Sequence, residues 1–333
     1  MNNILISKTP LRISFFGGGT DFENYFIKNK YGAVISCAIN KFIYVTIKKH
    51  SNLFNEKYRL NYSETEEVNS ISKINNSIIK ECIKNSKIKD NLYISTIADV
   101  PGSSGLGSSS SFCVGLINVL NKYQGMSISK EKLAKLAINV EVDKLKKPIG
   151  IQDHFPPVYG GLNYFKFLDN RKVLKKTIFI DNYFKNKIFN NLVFFWTGVS
   201  RLSEDVLLEQ KNNNHSNINN LNKIKDITDY VYKKIINKTL NIDEFGYLLN
   251  ESWIIKKRLS SKVSNDKINE AYELGIKSGA LGGKILGAGN GGFLIFSCKE
   301  KNRLNLIKNL KKINAKNIDF KPYERGSEII LKS

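Results

Sequence analysis

Cysteine is scarce: Cys37, Cys82, Cys113 and Cys298 lie far apart in 333 residues. No pair has the spacing of a metal knuckle or a redox motif, so the expectation is reduced thiols in a cytoplasm. Histidine is rarer, with His50, His154 and His215 in no HExxH-like spacing, and no zinc site is argued. The two tryptophans, Trp196 and Trp253, are expected in the core rather than as ligand platforms. No apolar run approaches the roughly 20 residues that a membrane-spanning helix needs. The opening MNNILISKTPLRISF lacks the basic region, apolar stretch and cleavage site of a secretory signal. Acid is also in short supply, 30 Asp and Glu against 52 Lys and Arg, giving a net charge of +22.

That charge invites a nucleic-acid partner. The lysines are spread along the whole chain, however, and no arginine-rich or aromatic-interleaved block stands out. The Asn, Ile and Lys bias, as in KNNNHSNINNLNK, is that of an AT-rich coding sequence. The preferred reading is lysines as a solvated surface, with a field that gathers small anionic substrates as the weaker functional one; neither nucleic acid nor membrane is expected, and a homodimer is left open.

Ile43, Val45 and Ile47 alternate with polar residues and predict a half-buried strand, with Ala33 to Ile39 as its pairing partner. Helical spacing runs from Ser77 to Asn85. NLYISTIADVP reads as a strand, and SFCVGLINVLNKYQG as a helix ending near Gly125. A further helix is expected from an N-cap at Ser129 to Lys144. Later, LVFFWTGVS reads as a strand and Lys211 to Asn222 as a surface loop. The chain then runs helix (Asp266 to Gly279), glycine-rich turn (Gly282 to Gly292), strand (Phe293 to Cys298), helix (Glu300 to Lys312) and a last strand. This order predicts an α+β fold of two domains, residues 1–175 and 176–333, meeting between about 165 and 190.

Four segments carry chemistry. Pro101-Gly-Ser-Ser-Gly-Leu-Gly-Ser-Ser-Ser-Ser111 lies between a strand and a helix. Its glycines allow close backbone approach, the helix mouth offers free N–H groups, and its hydroxyls suit phosphate or magnesium. A flexible linker is the bland alternative, but apolar patterns abut both sides. A Walker A loop is excluded, because no Gly-Lys-Ser/Thr follows. The second segment, Pro10-Leu-Arg12-Ile-Ser-Phe-Phe-Gly-Gly-Gly-Thr-Asp21, delivers a strand into three glycines and an acid. The third, Ile149-Gly-Ile-Gln-Asp153-His-Phe155, places an acid beside glycine, after a helix carrying Glu141; in isolation a turn capped by Asp153 is the preferred reading. The fourth, Gly282 to Gly292, contains a formal GxGxxG, but a strand rather than a helix follows, so it reads as a turn lining a cleft and not as a dinucleotide fingerprint.

In this order the segments resemble the GHMP kinases, the superfamily of galactokinase, homoserine kinase, mevalonate kinase and phosphomevalonate kinase. The resemblance spans Pro10 to Gly292. It implies a two-domain fold with ATP and substrate in the cleft between domains, and Mg2+ as cofactor. Gly102, Ser103, Ser104, Gly105, Leu106, Gly107, Ser108, Ser109 and Ser110 would wrap the phosphates. Ser109 and Glu141 would hold the metal, Asp153 and Arg12 would be catalytic, and Gly18, Gly19, Asp21 and Gly289 would approach the substrate. Where galactokinases have Gly-Glu-His-Thr-Asp, this chain has Gly17-Gly18-Gly19-Thr20-Asp21, which argues against galactose. LRISFFGGGTDF, GIQDHF and GGKILGAGNGGF look most like the bacterial D-glycero-D-manno-heptose 7-phosphate kinases, with the fucokinase kinase domain as nearest competitor. That likeness implies a cytoplasmic enzyme phosphorylating an anomeric hydroxyl, on the way to nucleotide-activated heptose for surface polysaccharide. In WTGVSRLSEDVLLEQ, Arg201 would bind the sugar's phosphate in bidentate fashion; a surface salt bridge is the alternative.

Overall fold

The computed structural model describes residues 4–200, 204–213 and 216–332. The strands are β1 (Leu5–Phe16), β2 (Tyr31–Lys49), β3 (Tyr58–Asn61), β4 (Thr65–Val68), β5 (Leu92–Ala98), β6 (Leu162–Leu168), β7 (Val173–Ile178), β8 (Leu192–Trp196), β9 (Ala280–Ile285), β10 (Phe293–Cys298), β11 (Lys316–Asn317) and β12 (Glu328–Lys332). Eight of them form one sheet in the order β12-β1-β2-β5-β3-β4, with β6 also on β2 and β7 on β6. The other four form an antiparallel sheet, β11-β8-β10-β9.

The two strands expected over Ala33 to Ile39 and Ile43 to Ile47 are one 19-residue strand, β2. Of the usual turn residues Asn40-Lys41-Phe42 holds only Asn40, and the strand runs on through it. The period-2 pattern slips there because of a bulge. Pro10 pairs with Phe42 but Leu11 pairs with Ile39, leaving Asn40 and Lys41 as extra residues. Asn40 is anchored instead through its backbone N–H to the Lys321 carbonyl, 2.9 Å, and its side-chain oxygen to the Lys321 amide, 2.7 Å.

The helix Ser108–Tyr123 is buried along most of its length and packs on β1 and β2. A helix apolar all round belongs between other layers rather than at a surface. The helix from Ser129 starts as expected, its Ser129 side chain capping the Lys132 amide at 3.2 Å. It is α-helical only to Ile138; Asn139–Lys144 winds as a π-helix, a local form that often marks functional positions. The expected loop over Lys211 to Asn222 is shorter than its composition suggested, because helices Glu204–Asn212 and Ile218–Ile236 take up both ends. The weak propensity of asparagine yields there to burial of Leu221 and Ile224. Trp253 is fully buried and Trp196 packs against Phe293.

Contacts between the two sheets' layers fix the cleft. The helix Ile242–Lys257 packs on β9, and its Phe245 meets Phe15 and Phe16 of β1 edge-on at 6.1 and 5.4 Å. Each such aromatic pair adds about 0.5–1.5 kcal/mol beyond area burial. No described helix is long and apolar enough to cross a membrane.

Candidate active site

A cleft with about 1230 Å3 of space, counted out to solvent, collects residues from all four glycine-bearing segments. From β1 comes Arg12, 4% exposed. Its Nε and Nη2 donate to Asp153 Oδ1 and Oδ2, both at 2.9 Å, and Nη1 donates to the Gly105 carbonyl at 2.7 Å. This fork ties the acid-bearing turn and the serine loop to one strand, and bidentate geometry makes it a rigid link. The Arg12 amide also donates to the Leu106 carbonyl, 3.0 Å, while the Leu106 side chain is fully buried.

The serine loop enters the helix Ser108–Tyr123 through Gly107 in the left-handed region, with no side chain capping the helix mouth. Ser104 and Ser108 have buried hydroxyl oxygens with no hydrogen-bond partner among the described residues. Ser103, Ser104, Gly105, Gly107, Ser108, Ser109 and Ser110 line the cleft; Gly102 stands in open space outside it. Gly105 is obligatory, since at φ +83° a Cβ there would lie 2.6 Å from the Leu286 carbonyl oxygen. The expected glycine-rich turn begins later than its sequence suggested, because Gly282 and Gly283 belong to β9. The remaining turn closes on the loop through the Phe293 amide, 3.2 Å from the Ser104 carbonyl.

Beside the helix mouth, Ser109 Oγ donates to Glu141 Oε1 at 2.5 Å. Glu141 is fully buried in the π-helical turn, with His154 Nε2 2.9 Å from Oε2 and Lys147 Nζ 3.1 Å from Oε1. Burial would raise this carboxyl, but the bond and charge of His154, then Lys147 and Ser109, bring it down to about 2. Lys147 Nζ also donates to Ser109 Oγ at 2.9 Å, so an ammonium sits beside the two directly hydrogen-bonded oxygens expected to hold Mg2+. Among the described residues no group of three or more His, Cys, Asp or Glu could hold a metal. A hydroxyl and one carboxylate nonetheless suit magnesium, which keeps waters and takes phosphate oxygens for its remaining ligands. The orphaned Ser104 and Ser108 hydroxyls likewise fit a phosphate.

Gly18, Gly19, Asp21 and Gly289 also line the cleft. Asp21 is 2% exposed and accepts from the amides of Gly19 at 3.0 Å and Gln152 at 3.3 Å. Only glycine fits at 150, where a Cβ would stand 1.8 Å from Asp21 Oδ2. Burial, followed by the charge of Asp153, pushes the Asp21 carboxyl up to about 6. Its contribution to stability is therefore complete below its ordinary value of 3.8 and is lost as pH rises through about 6. Asp21→Asn is expected to gain roughly 2–3 kcal/mol on the wild type between pH 4 and pH 7, while weakening acceptor binding. Urea titrations at the two pH values check this; a pH-independent difference would contradict it.

Arg201 lies outside the described residues. Further cleft residues carried no role in the sequence, among them Gln152, Lys284 and Lys256. Gln152 accepts from Ser14 Oγ at 2.8 Å; it stood inside a quoted motif, but only the fold turns it inward. Lys284 is 5% exposed and donates to the carbonyls of Ser14 and Phe15 at 3.2 and 2.8 Å. Its lysine in GGKILGAGNGG was the available signal. Lys256, on the helix Ile242–Lys257, gave none.

The GHMP kinases N terminal domain matches residues 71–161 and the GHMP kinases C terminal domain residues 234–314. A D-glycero-alpha-D-manno-heptose 7-phosphate kinase of Campylobacter jejuni subsp. jejuni is 30% identical, over 96% of this chain and 97% of that protein. A galactokinase of Pyrococcus furiosus is 25% identical over 86% and 87%. Among solved structures, a D-glycero-D-manno-heptose 1-phosphate kinase from Bacteroides thetaiotaomicron covers 99% of both chains at TM-score 0.79 and 22% identity. The Methanococcus jannaschii mevalonate kinase covers 95% and 98% at TM-score 0.70 and 22% identity. Fold, cleft and relatives define an ATP-dependent kinase that phosphorylates an alcohol group of a small molecule. The chain belongs to the GHMP kinases, with their mixed α and β fold.

Proposed function

We propose that this kinase transfers the γ-phosphoryl group of ATP to the anomeric hydroxyl of D-glycero-D-manno-heptose 7-phosphate, supplying a bisphosphate for nucleotide-activated heptose. The observation that carries the reading is the Arg12–Asp153 fork facing the serine loop across one cleft, in a chain 30% identical to a heptose 7-phosphate kinase.

Residues 1–175 supply the loop, the fork and Asp21, while residues 176–333 supply the closing turn and the helix Ile242–Lys257. Loop amides from Gly105 to Ser110 and the hydroxyls of Ser104 and Ser108 hold the triphosphate. Bound between Ser109 and Glu141, Mg2+ would neutralise phosphate charge. Asp153 orients the sugar hydroxyl in line with the γ-phosphorus and takes its proton as the oxygen–phosphorus bond forms and ADP leaves. Arg12 fixes that carboxylate and stabilises the developing alkoxide. Asp21 and the Gly18–Gly19 backbone hold sugar hydroxyls.

ADP release should be strongest with heptose 7-phosphate in a panel that includes fucose, galactose and mevalonate. Phosphorus NMR should then show a new anomeric phosphate. Turnover only with an unphosphorylated sugar would replace the substrate assignment.

A further inference from the structure

Two side chains on the helix Ile242–Lys257 enter the cleft with hydrogen-bonding capacity that no described residue uses. Ser252 and Lys256 lie one turn apart on the same face, and both line the cleft. Ser252 is 5% exposed, and its Oγ has no hydrogen-bond partner among the described residues. A serine inside a helix ordinarily satisfies itself on the carbonyl four residues back, so an unpaired hydroxyl here awaits an external partner. Lys256 is 9% exposed, and its ammonium donates to the Gly287 carbonyl. An ammonium has three donors, and one carbonyl satisfies one of them.

The surrounding charges make the shortage specific. Lys147 already pairs with Glu141, Arg12 is committed to Asp153, and Lys284 is spent on the carbonyls of Ser14 and Phe15. Lys256 has no carboxylate within ion-pair distance among the described residues. Burial, then the charge of Arg12, pushes it down to about 8, with Asp153 and Asp21 opposing. A buried cation without a counter-ion is costly, and an anion entering the cleft would relieve that cost. The charged groups that act on it, Arg12, Asp153, Asp21 and the neighbouring Lys284, all belong to the acceptor half of the cleft rather than to the Ser109–Glu141 end.

We propose that Ser252 and Lys256 form a phosphate-binding pair on the acceptor side of the cleft. The proposal rests on the kinase acting on a sugar phosphate, and the phosphate is either the acceptor's own ester or the phosphoryl group in transit. The serine hydroxyl and the two free ammonium protons supply up to three donors to its oxygens, complementing the loop that holds the rest of the nucleotide from the other sheet.

The test uses Lys256→Met, Ser252→Ala and the charge-retaining Lys256→Arg. Each is titrated calorimetrically without ATP against heptose 7-phosphate and against unphosphorylated heptose, and each is assayed with ATP. For an ester contact, Lys256→Met should weaken heptose 7-phosphate by roughly 10- to 100-fold and leave the unphosphorylated sugar within about 3-fold, with partial recovery in Lys256→Arg. For a contact to the group in transit, affinities stay unchanged and kcat falls at least about 10-fold on either sugar. Equal loss of affinity for both sugars, or no change beyond about 3-fold in affinity or kcat for either variant, overturns the proposal. Lys256→Met should melt no lower than the wild type, since it removes a buried charge. If the wild type releases no ADP with heptose 7-phosphate, the substrate assignment has failed on its own. The pair is then judged by orthophosphate, which should raise the Tm of the wild type and not of Lys256→Met; equal shifts overturn it.

Discussion

Asp153→Ala is expected to lower kcat by about 10³-fold, the scale of a positioned general base, while ATP affinity stays within about 2-fold. The asymmetry follows from the geometry. Among the described residues the Asp153 carboxylate hydrogen-bonds to Arg12 alone, and no serine of the loop bonds to it. The side chain of Asp153 is 22% exposed, so its loss leaves a water-filled notch and not a dry cavity. Arg12 loses two of its three side-chain hydrogen bonds but keeps the one to the Gly105 carbonyl, which holds the guanidinium near its place. Asp153→Asn separates positioning from proton transfer, because it retains one acceptor for Arg12 without a base. Single-turnover rates and calorimetric ATP titration provide the check. A fully active Asp153→Ala enzyme would remove the carboxylate from the mechanism.

Glu141 should show the largest stability effect. It is fully buried, and its oxygens serve Ser109, Lys147 and a fully buried His154. Glu141→Ala leaves His154 and Lys147 facing an empty space, and removing one partner of a buried pair costs roughly 3–5 kcal/mol. Its folded value lies near 2 against an ordinary 4.5, so its stabilisation is present above 4.5 and lost as pH falls towards 2. The gap between wild type and Glu141→Ala should therefore be full at pH 7 and shrink below pH 4.5. Glu141→Gln keeps the shape and is expected to fold. Without the charge it should need more magnesium for half-maximal rate and lose roughly 100-fold in kcat/KM. Urea denaturation across pH, with magnesium titration of Glu141→Gln, decides the matter; a gap that does not change with pH would assign the carboxylate a packing role only.

The two effects also differ in how they could be foreseen. Ser109 stood out because its glycine-serine segment lies between a strand and a helix, whereas Asp153 and Arg12 gained their roles only once the segments, taken together, resembled a kinase family. Glu141 was legible only through the family resemblance, and its partner His154 not at all. A histidine without ligand spacing carries no signal until the π-helical turn brings an acid to its ring. The strand pairing of β2 was misread for a similar reason. A bulge breaks the alternation of side chains, and the residue that anchors it, Lys321, is some 280 positions away.

What the sequence determined alone was the set of local devices: a serine-rich loop feeding a helix mouth, glycines where backbone must meet backbone, and strands and helices whose apolar period is set by their own geometry. These depend on neighbours a few residues apart, so the chain spells them out. Tertiary structure alone decided which charges are shared and which are left over. Arg12 is consumed by Asp153 from 141 residues away, Lys284 by the carbonyls of β1, and Lys256 by almost nothing. Electrostatic and hydrogen-bond balance is a property of the folded space around a group, and residues distant in the chain set it.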